Sequence, residues 1–436
     1  MKKLMNTVAI VALLLTLAPA IAIPASAPDA DAGFRPWYEL QMMADPILDQ
    51  TLLYYLGMSW QNMTDIGECL ATAATVEAGD PAAWSRAWHA TALRLERIGD
   101  DCRDQGHRIS AGEAYLRAAT YYTAALHRHP DPTAPDVRAW TAAAVNCFES
   151  AFTRLDLPVE AASIPYEGTA LPGWFFRAPP GDGPAPTLIV QQGRDGWAEH
   201  CLGTALAAVR RGYNCLLFEG PGQGKVLRLQ GLPFRPDWER VITPVVDWVV
   251  ARPDVDPARV GLLGVSMGGA LVPRAAAFEP RLKVCVANPG VVSWRDIVFG
   301  FIGSFDPRLT DLWRTDPAAF DAIIAQLSQD VPLLGWGIAD TMWKHGAATP
   351  AAMMAALDAY TNEDILGLID CRVLLMDGEA DDFSQGAAMQ AALGGRADRI
   401  VFTAGDTGLQ HCQVGALAVS NQRLFDWLDG NLKPAR

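Results

Sequence analysis

Six short apolar runs, residues 187–192, 215–218, 260–265, 283–287, 373–376 and 400–404, recur from residue 187 onward, separated by stretches with helical spacing. Apolar runs alternating with helices predict a parallel sheet covered on both faces. Residues 164–167 and 171–177 read as a preceding strand pair, closed by a Gly/Pro loop at 179–186. Upstream, from residue 37 to 155, aromatic and alanine positions recur three and four apart with almost no β-branched alternation, which predicts an all-helical region over 35–157. Within it Ser110 and Glu113 are spaced as a capping box for a helix over 114–126. The run 114–122 has no second copy at a fixed period, so it reads as helix packing rather than a repeat array. Residues 290–369 show no strand pattern, only Trp/Phe/Met-rich helices, and predict a lid inserted over 291–369 within a catalytic domain spanning 158–436.

Chemistry enters at the end of the 260–265 run. Gly264-Val265-Ser266-Met267-Gly268 puts a serine in the turn between a buried strand and a helix, a nucleophile elbow. Asp381 lies in the loop after the 373–376 run and His411 in the loop after 400–404, so the order is Ser, Asp, His, as in α/β-hydrolases. A serine hydroxyl needs a base to take its proton, and the imidazole needs a carboxylate to fix its tautomer. After Ser266 the only other histidine is His345, which falls in the helical insert. Asp382 and Asp377 are alternative acids, with turn capping as their expected work. Backbone N–H groups of Met267 and of Arg194, in the turn after 187–192, are the expected oxyanion-hole donors. A surface charge is the alternative for the Arg194 side chain, and the expected role belongs to its backbone either way.

Composition narrows the function. The chain of 436 residues is 50% hydrophobic and carries a net charge of −14 with no compensating Lys/Arg cluster, which argues against a nucleic-acid partner. Met1-Lys2-Lys3, an apolar stretch over 8–17 and small residues to Ala27 have the layout of a signal peptide over 1–27. Export to the periplasm or beyond is therefore expected, with no stable membrane insertion afterwards; an uncleaved anchor is the alternative. The eight cysteines form no C-x-x-C pair, so neither a zinc nor a redox site is indicated, and one disulfide such as Cys69 with Cys102 is compatible with export. Cys412 reads as packing beside His411. Gly220-Pro221-Gly222-Gln223-Gly224 lacks the Lys-Ser/Thr ending of a phosphate loop. No cofactor and no metal are expected.

Residues 218–224 (Phe-Glu-Gly-Pro-Gly-Gln-Gly), the Gln192-Gly193-Arg194-Asp195 turn, residues 264–269 and the helical region before the core together resemble one α/β-hydrolase subfamily. It includes 2,6-dihydroxypseudooxynicotine hydrolase, fungal polyketide-shortening hydrolases and FrsA-like esterases, and the resemblance covers about residues 35–430. It implies an α/β-hydrolase fold, triad roles for Ser266, Asp381 and His411, and hydrolysis of an ester or of a carbon–carbon bond beside a ketone. The pyridine-substrate member has a further carboxylate some thirty residues after the nucleophile; here the nearest acid is Asp296. Trp294, Phe299, Phe301, Trp313, Trp336 and Trp343 in the insert point as a set to an apolar, aromatic or long-chain acyl substrate. The competing readings are an exported peptidase or aminoacyl hydrolase and a non-catalytic binding protein on the same fold. A homodimer is admissible.

Overall fold

A computed structural model describes residues 40–77, 80, 82–181 and 183–432. The signal-peptide segment lies outside the described residues. Among those described, no helix is long and apolar enough to cross a membrane.

The strands are β1 (Val159–Tyr166), β2 (Thr169–Phe176), β3 (Ala185–Gln191), β4 (Asn214–Phe218), β5 (Val255–Val265), β6 (Leu282–Asn288), β7 (Arg372–Gly378) and β8 (Ala397–Phe402). They form one sheet in the order β1-β2-β4-β3-β5-β6-β7-β8. The first two pairings, β1 with β2 and β2 with β4, are antiparallel; every pairing from β3 to β8 is parallel. The hairpin turns on Glu167 (φ 39°) and Gly168 (φ 82°), both left-handed as a two-residue hairpin matching strand twist requires.

Although the central strands are apolar throughout, they still alternate between two cores. Ile189 and Leu262 join a cluster with the helices Glu239–Val250 and Gly268–Phe278 and the insert; Leu188, Val190, Leu263, Val284 and Val286 face the other way. That second face is covered by the helices Leu202–Arg210 and Leu417–Leu432 and, continuously with them, by the N-terminal helices. Tyr55, Trp84, Trp88, Tyr121 and Phe148 therefore share a core with the sheet, and Phe152 meets Trp174 of β2 edge-on at 4.8 Å.

Between β6 and β7 the insert contains five helices: Trp294–Phe305, Leu309–Thr315, Pro317–Asp330, Pro332–Lys344 and Pro350–Leu357. The capping box expected at Ser110 is absent. The helix begins at Arg108, placing Ser110 inside its first turn, and His107 at the N-cap makes no side-chain cap. The suggested Cys69–Cys102 disulfide is also absent: all eight cysteines are free thiols. Cys69 instead lies 4.0 Å from the Tyr121 hydroxyl.

Candidate active site

The turn after β5 gives Ser266 φ 58°, a left-handed conformation that costs a non-glycine residue of order 1 kcal/mol and persists only where surrounding contacts impose it. One such contact is explicit: the Ser266 N–H donates to the Asn288 carbonyl at the end of β6, 2.7 Å away. The helix Gly268–Phe278 starts immediately behind, so the hydroxyl sits where the C-terminal end of a central strand meets a helix N-terminus.

The structure brings Ser266, His411 and Asp381 together. His411 Nε2 is 2.9 Å from Ser266 Oγ, and Nδ1 is 2.9 Å from each Asp381 carboxylate oxygen. With the ring proton on Nδ1 facing the carboxylate, Nε2 is left as the acceptor for the serine hydroxyl. Burial alone would push the imidazole pKa down, but the Asp381 carboxylate, helped by Cys412, outweighs it and holds the ring well above the usual value. Phe383 packs edge-on against the ring at 4.8 Å. The His411 loop is fastened by Gln413, whose Oε1 accepts from Asn288 Nδ2 and Ser420 Oγ, each at 2.9 Å. Cys412 places its sulfur 3.3 Å from His411 Nε2 and 3.4 Å from the Asn288 carbonyl.

The alternative residues are elsewhere. Asp377 is buried, accepting from the Gly290 N–H at 3.1 Å and pairing with Arg399 at 2.5 Å. Asp382 makes no contact with the ring nitrogens, and burial together with the adjacent Asp381 charge raises its carboxyl to about 6. His345 packs in the insert, stacked on Phe234 at 5.4 Å, with both ring nitrogens unpartnered and its pKa lowered by burial to about 3. Asp296, the candidate extra carboxylate, is half exposed and paired with Arg295, and it is absent from the cavity wall. The reason is local: Ser293 caps the helix through the Asp296 N–H, and that first-turn side chain turns to its neighbour and solvent.

The turn after β3 closes on the elbow. A Cβ on Gly193 would lie 2.6 Å from Ser266 Cβ and from the Val265 carbonyl, and 2.8 Å from the Met267 nitrogen, so only glycine fits. Gln223 holds this turn from outside the cavity: its amide donates to the carbonyls of Gln192 and of Gly193, the latter at 3.0 Å, while its Oε1 accepts the Gly220 N–H at 2.9 Å. Sequence reasoning took Gly-Pro-Gly-Gln-Gly as a family signature without a task for its glutamine. Arg194 is not a surface charge. It is buried, and its guanidinium binds Asp195 (3.0 Å), Asp340 (2.5 Å) and Thr341 (2.8 Å); Lys344 completes the group on Asp195 and Asp340.

Ser266 and His411 open into a cavity walled also by Tyr54, His127, Gln192, Asp195, Trp294, Phe383, Cys412 and Val414. A second cavity lies beyond Tyr54, Gln192 and Cys412, which line both. Of the six insert aromatics only Trp294 reaches the first wall, stacked on Phe383 at 5.7 Å. Phe299 packs on Trp313, Phe301 on Phe305, and Trp336 donates to the His129 carbonyl at 2.8 Å. Sequence reasoning missed Tyr54 and His127. They sit on ordinary helices, and nothing in their spacing separates them from core residues.

Residues 167–391 match the family model described as X-Pro dipeptidyl-peptidase (S15 family). The chain is an α/β-hydrolase of this S15 type. The hydrolase is 34% identical to Hydrolase acrC of Aspergillus aculeatus, over 84% of its own length and 92% of that protein. It is 32% identical to Hydrolase LUC6 of a Fusarium species and 31% identical to 20-hydroxy-prefusarin hydrolase FUS2 of Gibberella moniliformis, in each case over 89% of this chain and 97% of the relative. These relatives place the hydrolase in the subfamily its motifs resemble. The crystal structure of 2,6-dihydroxy-pseudo-oxynicotine hydrolase has the same fold, with a TM-score of 0.65 over 87% of this chain and 96% of that one at 20% identity.

Proposed function

We propose that this hydrolase is a cofactor-independent serine hydrolase acting on an ester, or on a carbon–carbon bond beside a ketone, in a small and largely apolar molecule. Ser266 Oγ attacks the carbonyl carbon while His411 Nε2 takes its proton. Asp381 keeps the imidazole oriented and stabilises the imidazolium. The N–H groups of Met267 and Arg194 stabilise the oxyanion. Collapse of the tetrahedral intermediate expels the alcohol, or the carbon leaving group, which takes the proton from His411. Water activated by the same imidazole then releases the acid from the acyl-enzyme.

The observation that carries this reading is the unbroken chain from Ser266 Oγ through both His411 nitrogens to Asp381, each link 2.9 Å, opening into a cavity. A peptidase is the second reading, favoured by the description of the matching family model. Against it, the one carboxylate in the cavity wall besides the triad, Asp195, is already paired with Arg194 and Lys344, so it is not free to hold a peptide's terminal amine. A fluorophosphonate should label wild type at Ser266 but not Ser266→Ala, and p-nitrophenyl esters should turn over where X-Pro anilides do not. In Ser266→Ala and His411→Ala activity should fall on the order of 10⁴-fold, while His345→Ala should keep most of it. More than about a tenth of wild-type activity in pure Ser266→Ala would reject the assignment.

A further inference from the structure

Six charged side chains cluster where the N-terminal helices, the turn after β3 and the insert meet. Four of them balance: Arg194 and Lys344 against Asp195 and Asp340. Arg128 and Arg228 have no carboxylate partner among the described residues. Arg128 is 4% exposed, and among the described residues its only hydrogen bond is from Nη2 to Thr51 Oγ1 at 2.8 Å, leaving Nε and Nη1 buried without an acceptor there. Arg228 donates from Nη1 to the Gly224 carbonyl at 3.1 Å and leaves Nε unpartnered. Both lie under insert tryptophans, Arg128 over Trp336 at 4.9 Å and Arg228 over Trp343 at 5.3 Å, with Trp197 on Arg228 at 5.5 Å. Burying an unpaired charge costs several kcal/mol; Arg128 is buried and Arg228 partly so, and the carboxylates whose field reaches them, among them Asp195 and Asp340, make no ion pair with either.

The cavity supplies the missing link. His127, the residue before Arg128, stands in the wall of the cavity that holds Ser266. Its Nδ1 is 3.3 Å from the Tyr55 hydroxyl, while its Nε2 is buried without a partner. With Tyr55 donating to Nδ1, the ring proton sits on Nε2 and is offered to nothing among the described residues. Burial and the neighbouring Arg128 hold this imidazole neutral, its pKa well below the usual value. The wall therefore carries the His127 ring, with an unused donor buried behind it and two guanidinium groups that make no ion pair among the described residues, in a region of low polarizability where their field is weakly screened.

We propose that His127, with Arg128 and Arg228 behind it, is the subsite for a carboxylate carried by the substrate, so that the acyl chain is apolar along its length and acidic at one end. This rests on the serine-hydrolase reading above and adds the class of substrate to it. A carboxylate there would accept from His127 Nε2 as the ring turns toward it, face the two guanidinium groups and leave its apolar stem against Trp294 and Phe383.

A graded series of p-nitrophenyl hemiesters of linear dicarboxylic acids, each compared with its methyl-capped diester, tests it. One chain length should show a kcat/KM at least about tenfold above its methyl-capped twin in wild type, mostly through KM. Arg128→Met, His127→Phe and Arg228→Met should each bring that ratio to within about threefold of one, with His127→Gln, which keeps a donor, retaining more of it than His127→Phe. A variant that does not fold, as judged by Tm, is replaced in the comparison by Arg128→Lys, which should hold the preference. No preference at any chain length in an enzyme that turns over neutral esters would overturn the subsite and leave the triad standing, as would equal losses on both substrates in every variant. Failure of fluorophosphonate labelling would instead overturn the underlying reading.

Discussion

Gly193→Ala should be among the most damaging single-methyl changes in the molecule. The added Cβ would sit 2.6 Å from Ser266 Cβ and from the Val265 carbonyl and 2.8 Å from the Met267 nitrogen, about 0.8 Å inside the closest ordinary van der Waals contact. None of these is the free end of a flexible side chain, so the strain is relieved by moving backbone. The elbow is pinned by the Ser266 N–H bond to Asn288 and by the start of the helix Gly268–Phe278, so the turn after β3 must yield, carrying the Arg194 N–H with it. Loss of one oxyanion donor costs roughly 10²–10³ in kcat, and a displacement near 1 Å costs on the order of 10². We therefore expect kcat/KM on a p-nitrophenyl ester to fall roughly 10²–10³-fold. Stability should fall by only about 1–3 kcal/mol, as is usual for overpacking. Circular dichroism and a thermal melt would establish that the variant is folded before kinetics are compared. Activity within about threefold of wild type would mean that this turn does not form the oxyanion hole.

Because Asp381 raises the His411 pKa, and catalysis requires neutral imidazole, the acid limb of the wild-type kcat/KM profile should lie above pH 6.5. In Asp381→Asn the limb should move to lower pH while the plateau drops strongly, whereas Asp382→Asn should change both little; the reverse pattern would transfer the role to Asp382. Burial, aided by Glu199 and opposed by Lys225, raises the Glu219 carboxyl to about 7. The folded state therefore holds this proton more tightly than the unfolded chain, and Glu219 costs stability increasingly as pH rises from about 4.5 through 7. Glu219→Gln lacks that titration, so its Tm relative to wild type should improve between about pH 5 and pH 8, and a flat or falling difference would refute this.

The hydrolase half was legible because its physics is local. An apolar strand ending in Gly-x-Ser-x-Gly, followed by acid and base loops after later strands, fixes the triad order with little freedom in how the sheet is built. What escaped was set by distant packing. Gln223 donates to carbonyls some thirty residues earlier in the chain, and Gln413 reaches back to Asn288, contacts that no periodicity encodes. The insert aromatics misled for the same reason: a tryptophan run marks burial without saying against what, and Trp336 and Trp343 cover arginines rather than the cavity. Asp296 had spacing alone behind it, and a neighbouring arginine took the carboxylate.

Arg194 shows how these distant contacts bear on chemistry. Its backbone belongs to the turn pressed against Ser266, while its side chain is tied to Asp340 and Thr341 on the insert helix Pro332–Lys344. Lys344 on the same helix binds Asp195, the next residue of that turn. Removing one partner from such a buried ionic group typically costs about 3–5 kcal/mol, so the helix and the turn have strong reason to hold one relative position. The same helix carries Trp336, which donates to the His129 carbonyl of the N-terminal region. Insert, N-terminal helices and the turn after β3 are thus mechanically joined around the cavity. In the mechanism proposed above, a substrate that displaces the insert would therefore also disturb the backbone donors, and one that fills the cavity with the insert seated would leave them in place.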